Sequence, residues 1–288
     1  MANTVAAPRA GSFTIEDLPY AETEVGPLLV RLYRPRGAGP FPAVIDIHGG
    51  AWTSGDRTQN VAFAAPLAEA GILVASLDFR MPPARRYPEA IADINLGIRW
   101  MKSRAEAFHI RPQSIGGFGT SSGGHQILLA AMRPRDPRYA ALALPGHPEI
   151  DARLDFVISG WGVLEPRLRY RLAKERGSSH FLDAHHAYWG DEAAMAEGSP
   201  PLILERGERV DLPPALIFQG TDDEWVPMAI TQAFAAAWRK AGGEMELVLL
   251  SGAKHSFFRE DQASPNANKA IAVTRDFILG RAAAAKSR

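Results

Sequence analysis

The sequence predicts an α/β fold: a mostly parallel central sheet flanked by helices. Short runs rich in Val, Ile and Leu recur along the chain, bounded by Gly or Pro. Helix-like stretches separate them, the pattern of strand–helix–strand units. The runs are apolar almost throughout rather than alternating, as strands buried on both faces are.

In chain order, Leu28–Tyr33 alternates partially and ends just before Pro35, which fits one strand of an antiparallel edge hairpin. Ala43–His48 reads as the first buried strand, followed by a helix over Gln59–Ala70 and a strand at Ile72–Asp78. A helix over Glu89–Ala105 comes next, then an apolar run at Ile115–Phe118 that feeds a helix over Ser122–Met132. Strands at Asp155–Ser159, Ala215–Gln219 and Leu247–Leu250 follow, with helices at Met228–Ala241 and Asn266–Leu279. Between 161 and 201 the pattern breaks into a stretch rich in Arg, His, Tyr and Trp without a clear strand. Such an insertion over an α/β sheet is expected to be a lid or substrate-facing loop, with a surface excursion of no role as the alternative. Residues 1–12 are expected to form a mobile tail and Ala282–Arg288 a frayed end. The whole chain, 1–288, is expected to be one domain, a length that buries about three quarters of the unfolded surface.

Thirty-two Lys and Arg balance thirty-two Asp and Glu, which argues against nucleic acid or an anionic membrane as the main partner. There is no cysteine, so disulfides, zinc–thiolate sites and cysteine nucleophiles are excluded. The N-terminal residues hold no apolar core of a signal peptide, and no window approaches a membrane span, so a cytoplasmic location is expected. Self-association into a homo-oligomer stays open.

Three features carry chemistry. Gly119-Thr120-Ser121-Ser122-Gly123 is a G-x-S-x-G run placed between a strand and a helix. Its turn is sharp enough to strain the central Ser121, and small residues on either side avoid clashes. The bland alternative is a Gly/Ser turn that merely caps a helix. His48-Gly49-Gly50-Ala51-Trp52 follows the first buried strand. Its glycines let backbone N–H groups approach an oxyanion, with the N–H of Ser122 as a second donor. His48 itself suits a loop-ordering role better than that of a base. Finally, Asp222 and Asp223 follow one strand and His255 follows the next, giving the chain order nucleophile, acid, histidine.

Together these runs, with Gly55-Asp56, Asp78-Phe79-Arg80, Tyr87-Pro88-Glu89-Ala90, Asp93, Trp100 and His125, resemble the α/β-hydrolase superfamily. Within it, H-G-G-x-W-x-x-G-D and G-x-S-x-G-G-H resemble the esterase/lipase and feruloyl-esterase-like branch that includes kynurenine formamidases. D-F-R and Y-P-E-A also match the hormone-sensitive-lipase branch, but Ala51 stands where that branch has Gly, Ser122 where it has Ala and His125 where it has Asn. The resemblance covers about Ala43 to Phe258. It implies Ser121 as nucleophile, His255 as base and, from a G-x-x-D-x-x-V-P pattern, Asp223 rather than Asp222 or Glu224 as the orienting acid. Gly50 or Ala51, with Ser122, would form the oxyanion hole, and Trp52, Trp161 and Trp225 are expected to line the substrate site. No metal or organic cofactor is implied. His185–His186 does not read as a metal pair, because adjacent side chains rarely point at one ion.

The expected activity is hydrolysis of a carboxylic ester of a small or medium acyl group through an acyl-enzyme. The same three residues would serve an amide or formamide hydrolase, and a ligand-binding protein without catalysis is the alternative of a different class. Arg167, Arg169, Arg171, His180, His185, His186, Tyr188 and Trp189 in the insertion would favour acidic or aromatic acyl groups if they wall the site; a solvated face is the competing reading.

Overall fold

The computed structural model describes residues 11–286, so residues 1–10 of the expected tail and the last two residues lie outside the described part. The strands are β1 (Phe13–Thr23), β2 (Gly26–Pro35), β3 (Phe41–Ile47), β4 (Leu73–Leu77), β5 (Ile110–Thr120), β6 (Val157–Gly160), β7 (Ala215–Gly220) and β8 (Met245–Leu250). The helices are α1 (Val61–Glu69), α2 (Glu89–Ser103), α3 (Ser122–Met132), α4 (Pro166–Glu175), α5 (Ser179–Trp189), α6 (Glu192–Glu197), α7 (Pro200–Glu205), α8 (Met228–Lys240), α9 (Phe257–Glu260) and α10 (Pro265–Lys286).

The strands form one eight-stranded sheet in the order β1-β2-β4-β3-β5-β6-β7-β8. β1 and β2 form the antiparallel edge hairpin, β2 pairs antiparallel with β4, and all later pairs are parallel. This is the α/β-hydrolase arrangement. Alternation along the strands sends Val44, Val74, Phe118, Ile158, Leu216 and Phe218 into one apolar cluster with Phe63 and Leu67 of α1 and Ala270 and Ile278 of α10. Ala43, Ile45, Leu73, Ile115, Val157 and Ile217 enter a second cluster with Ile94 and Ile98 of α2, Leu128 of α3 and Phe234 and Trp238 of α8. Both faces of the parallel strands are covered, which is why they read as continuous apolar runs.

The 161–201 stretch, expected as a lid or substrate-facing loop, is helical: α4, α5, α6 and the start of α7 follow one another there. Its helices begin with local signals that lie outside any apolar periodicity. Glu165 accepts from the N–H groups of Arg167 and Leu168, Asp191 accepts from that of Ala194, and Pro166 and Pro200 open α4 and α7. Of the expected frayed end Ala282–Arg288, the described residues are helical, since α10 continues to Lys286 through an alanine run of high helix propensity.

Buried charge ties the antiparallel end to the rest. Asp93 of α2 is fully buried and takes Arg80 through Nη2–Oδ1 at 2.7 Å and Nε–Oδ2 at 2.9 Å, with the Arg80 backbone N–H at 2.8 Å. The same guanidinium reaches Glu24 in the β1–β2 turn at 3.2 Å. Removing one partner leaves the other charge buried and unpaired. Asp93→Ala is therefore expected to lower the unfolding free energy by about 3–5 kcal/mol in urea titration; a loss below about 1 kcal/mol contradicts this role.

Asp46 on β3 is a second buried carboxylate, held by Asn60 Nδ2 at 2.7 Å and Ser76 Oγ at 2.6 Å. Asn60 in turn accepts from Thr120 Oγ1 at 3.2 Å, so the network reaches the residue before Ser121. Burial, opposed by these two hydrogen bonds, pushes the Asp46 carboxyl up to about 6 from its ordinary 3.8. Between those values the folded chain holds a proton that the unfolded chain releases. The contribution to stability is thus fully present below pH 3.8 and is lost as pH rises through about 6. Relative to Asp46→Asn, the wild type should lose about 2–3 kcal/mol between pH 4 and pH 7 in parallel urea titrations. A difference that stays constant across that range contradicts the assignment.

Candidate active site

The loops at the carboxyl ends of β3, β5, β7 and β8 meet above the sheet, where open α/β sheets place their sites. β3 and β5 are neighbours in register, Ile47 opposite Gly119, so the His48–Trp52 loop lies beside the β5–α3 turn. β7 and β8 pair from Ala215↔Met245 to Gly220↔Leu250, which brings the Asp223 and His255 loops together.

Ser121 occupies the turn between β5 and α3 with φ 52° and ψ −119°, a left-handed backbone that costs a non-glycine residue on the order of 1–3 kcal/mol. The turn is held by Ser121 N–H donating to Gly160 O at 2.9 Å and by Val163 N–H donating to Ser121 O at 3.1 Å. Close approach explains Gly123: a Cβ there would stand 2.1 Å from Ile47 O and 2.3 Å from His48 O.

Ser121 Oγ lies 2.9 Å from His255 Nε2, and His255 Nδ1 lies 2.9 Å from Asp223 Oδ2 and 3.1 Å from Oδ1. An ionised carboxylate only accepts, so Nδ1 carries the proton and Nε2 accepts from the serine hydroxyl. Asp223 also accepts from Gln219 Nε2 at 2.8 Å and from the N–H groups of Trp225 at 2.9 Å and Val226 at 2.8 Å. Burial opposes ionisation of Asp223, but the His255 bond and charge with the two backbone donors outweigh it and hold the carboxyl below its ordinary range. Of its neighbours, Asp222 is exposed and accepts from Thr221 Oγ1, and Glu224 reaches only the backbone N–H of His255 at 3.4 Å.

The glycine loop turns through three consecutive residues of positive φ: Gly50 at 110°, Ala51 at 51° and Trp52 at 65°. The Gly50 carbonyl accepts from Thr53 and Ser54 N–H, each at 3.1 Å, whereas the N–H groups of Gly50 and Ala51 have no backbone acceptor among the described residues. Ser122 N–H stands in the first turn of α3, where the helix provides no acceptor. Gly49, next to the first two of these donors, would bring a Cβ to 3.2 Å from that of Ser121. His48 is turned away: Nδ1 lies 2.7 Å from Gly49 O, the ring stacks on Phe79 at 4.5 Å, and burial lowers its pKa.

The three tryptophans divide. Trp52 is 1% exposed, stacked on Tyr188 at 5.6 Å and edge-on to His125, His185 and Trp189, so it braces the insertion rather than presenting an open face to substrate. Trp161 packs among Phe63, Phe218, Phe257 and Phe258 in the core. Trp225 is half-buried beside Asp223, with Phe181 at 4.5 Å and the Arg176 guanidinium at 4.8 Å. His185 and His186 diverge as expected, Nδ1 of one on Phe181 O and Nε2 of the other on Tyr170 Oη. Sequence reasoning missed His125 as a structural pivot. Trp52 Nε1 can only donate, so His125 Nδ1 accepts it at 3.4 Å and Nε2–H donates to Gly198 O at 2.7 Å. Burial pulls its pKa down to about 4, which keeps it neutral. Its place two residues after Gly123 in G-x-S-x-G-G-H was the available signal.

A family model, BD-FAE, matches residues 30–238, a span that includes Ser121 and Asp223 and stops before His255. The probable carboxylic ester hydrolase LipM of Mycobacterium tuberculosis is 27% identical over 219 residues, 70% of this chain and 46% of that protein. Esterase LipC of the same organism is 29% identical over 228 residues, 76% of this chain and 53% of that protein. The chain spans about half the length of these curated relatives. Among solved structures, the propionate-bound esterase Est2 of Thermogutta terrifontis is 26% identical with a TM-score of 0.72, covering 95% of this chain and 96% of that one. Sharing its fold with that esterase along nearly its whole length, and matched by the family model over more than half of it, the chain belongs to the BD-FAE family of the α/β-hydrolase fold.

Proposed function

We propose that the protein is a serine hydrolase that cleaves carboxylic esters of small or medium acyl groups. The observation that carries the proposal is the unbroken line from Ser121 Oγ through His255 to Asp223, with both contacts at 2.9 Å. His255 Nε2 takes the hydroxyl proton as Oγ attacks the ester carbonyl, then returns it to the departing alcohol. Asp223 fixes the tautomer and stabilises the imidazolium. The oxyanion that forms is met by the N–H groups of Gly50 or Ala51 and of Ser122; one such donor is worth ~3 kcal/mol of barrier. Water, deprotonated by the same imidazole, releases the acid and restores Ser121. In this reading the chain works as one domain, α4 to α7 cover the site, a small-molecule ester is the partner, and the location is cytoplasmic.

Ester rather than amide cleavage is favoured by the relatives, which are described as ester hydrolases, and by the Est2 structure with a short carboxylate bound. A panel of p-nitrophenyl acetate, N-formyl and anilide substrates tests the reading. Turnover of the ester is expected to exceed that of the amides, and Ser121→Ala to abolish all but a trace of it. Asp223→Asn should lower kcat by roughly 10⁴, and Asp222→Asn by less than about tenfold. Undiminished turnover by Ser121→Ala, or a greater loss at Asp222 than at Asp223, overturns the assignment.

A further inference from the structure

Helix α4 buries an arginine that no anion meets. Arg169 is 2% exposed, and its Nε and Nη1 have no hydrogen-bond partner among the described residues. Its guanidinium lies 4.2 Å from the centre of the Phe181 ring and 5.9 Å from that of Trp52. Burial lowers its pKa to about 10, partly offset by attraction to the Asp223 and Glu224 carboxylates, so it is still a cation at neutral pH. The nearby carboxylates are already committed. Asp223 is held by His255, Gln219 and two backbone N–H groups, Glu224 faces the backbone of His255, and Glu165 caps α4. His185, also against Trp52, is neutral because burial pulls it down to about 4. Ring contacts offset only part of the cost of burying a cation without a paired anion.

The arginine shares a cleft with residues that hold the Ser121 turn and the Asp223 carboxylate. It lines a narrow cleft with Val163, Leu164, Trp225, Val226 and Glu165, which has room for about one water; the Glu165 carboxylate there is engaged by the N–H groups of Arg167 and Leu168. Val163 donates to the carbonyl of Ser121, and Trp225 and Val226 donate to Asp223. The cleft wall is therefore bonded to the Ser121 turn at one point and to Asp223 at two others.

We propose that Arg169 binds a substrate carboxylate, so that the preferred substrates are esters whose acyl chain ends in a free carboxylate: monoesters of short dicarboxylic acids. This rests on the serine ester hydrolase reading above. The acyl side is assigned because the acyl group stays on Ser121 while the alcohol must leave for solvent, and Arg169 is buried from solvent. A carboxylate needs more room than one water does, so seating it moves α4 outward, as lids over such sites do.

The test compares kcat/KM for mono-p-nitrophenyl glutarate and p-nitrophenyl valerate at neutral pH. Wild type is expected to favour the glutarate ester, and Arg169→Met to lower the glutarate-to-valerate ratio about ten- to a hundredfold, with part of the ratio regained in Arg169→Lys. An unchanged ratio in Arg169→Met, or a wild-type preference for valerate, overturns the proposal. Inhibition of wild-type valerate-ester turnover by free glutarate and by butyrate decides the matter without any variant. Stronger inhibition by glutarate supports the subsite, and equal inhibition overturns it. Absence of turnover of either ester overturns the hydrolase reading itself, whereas turnover without preference overturns the subsite alone.

Discussion

The left-handed backbone of Ser121 is the constraint around which the site is arranged. A serine at φ 52° is strained, and the strain persists only because the surroundings over-determine it. Gly160 O holds its N–H, and Val163 and His125 N–H groups both hold its carbonyl. The same turn presses α3 so close to the end of β3 that Gly123 has no space for a Cβ. One geometric demand thus sets the start of α3 against the end of β3 and brings the Gly49 backbone beside Ser121.

The insertion is tied to this turn. His125, one turn into α3, joins Trp52 of the glycine loop to Gly198 at the end of α6. Glu197, beside it, accepts from Arg133 at 2.5 Å and Arg138 at 3.0 Å, so the end of α6 is fixed to the segment that follows α3. Trp52 then carries α5 through its stack on Tyr188. The glycine loop, the Ser121 turn and the helices of the 161–201 stretch therefore share a single neutral histidine, and Arg169 of α4 meets the same assembly at the Trp52 ring.

Much of this was legible because it is local. Buried parallel strands announce themselves as apolar runs, and the G-x-S-x-G turn carries its own steric requirements. The outermost strand, β1, was not legible, because it lies on the edge, is mostly solvated, and contains Pro19. The helices of the 161–201 stretch were missed because their apolar positions are few; the acidic caps Glu165 and Asp191 and the two prolines were the signal. Spacing alone left Asp222, Asp223 and Glu224 equivalent. What separates them in space is the pair of N–H groups from Trp225 and Val226, which turn Asp223 inward. Tryptophans near site loops read alike in sequence whether they pack in the core, as Trp161 does, or border the site, as Trp225 does.

The central claim is that Ser121 is the one serine activated by its surroundings. Treatment with paraoxon followed by peptide mass spectrometry tests it most directly. The account predicts a single diethylphosphoryl group per chain, on the peptide that contains Ser121, and none on that peptide when His255 is replaced by Ala. Modification of a different serine, or of Ser121 at the same rate without His255, would contradict it.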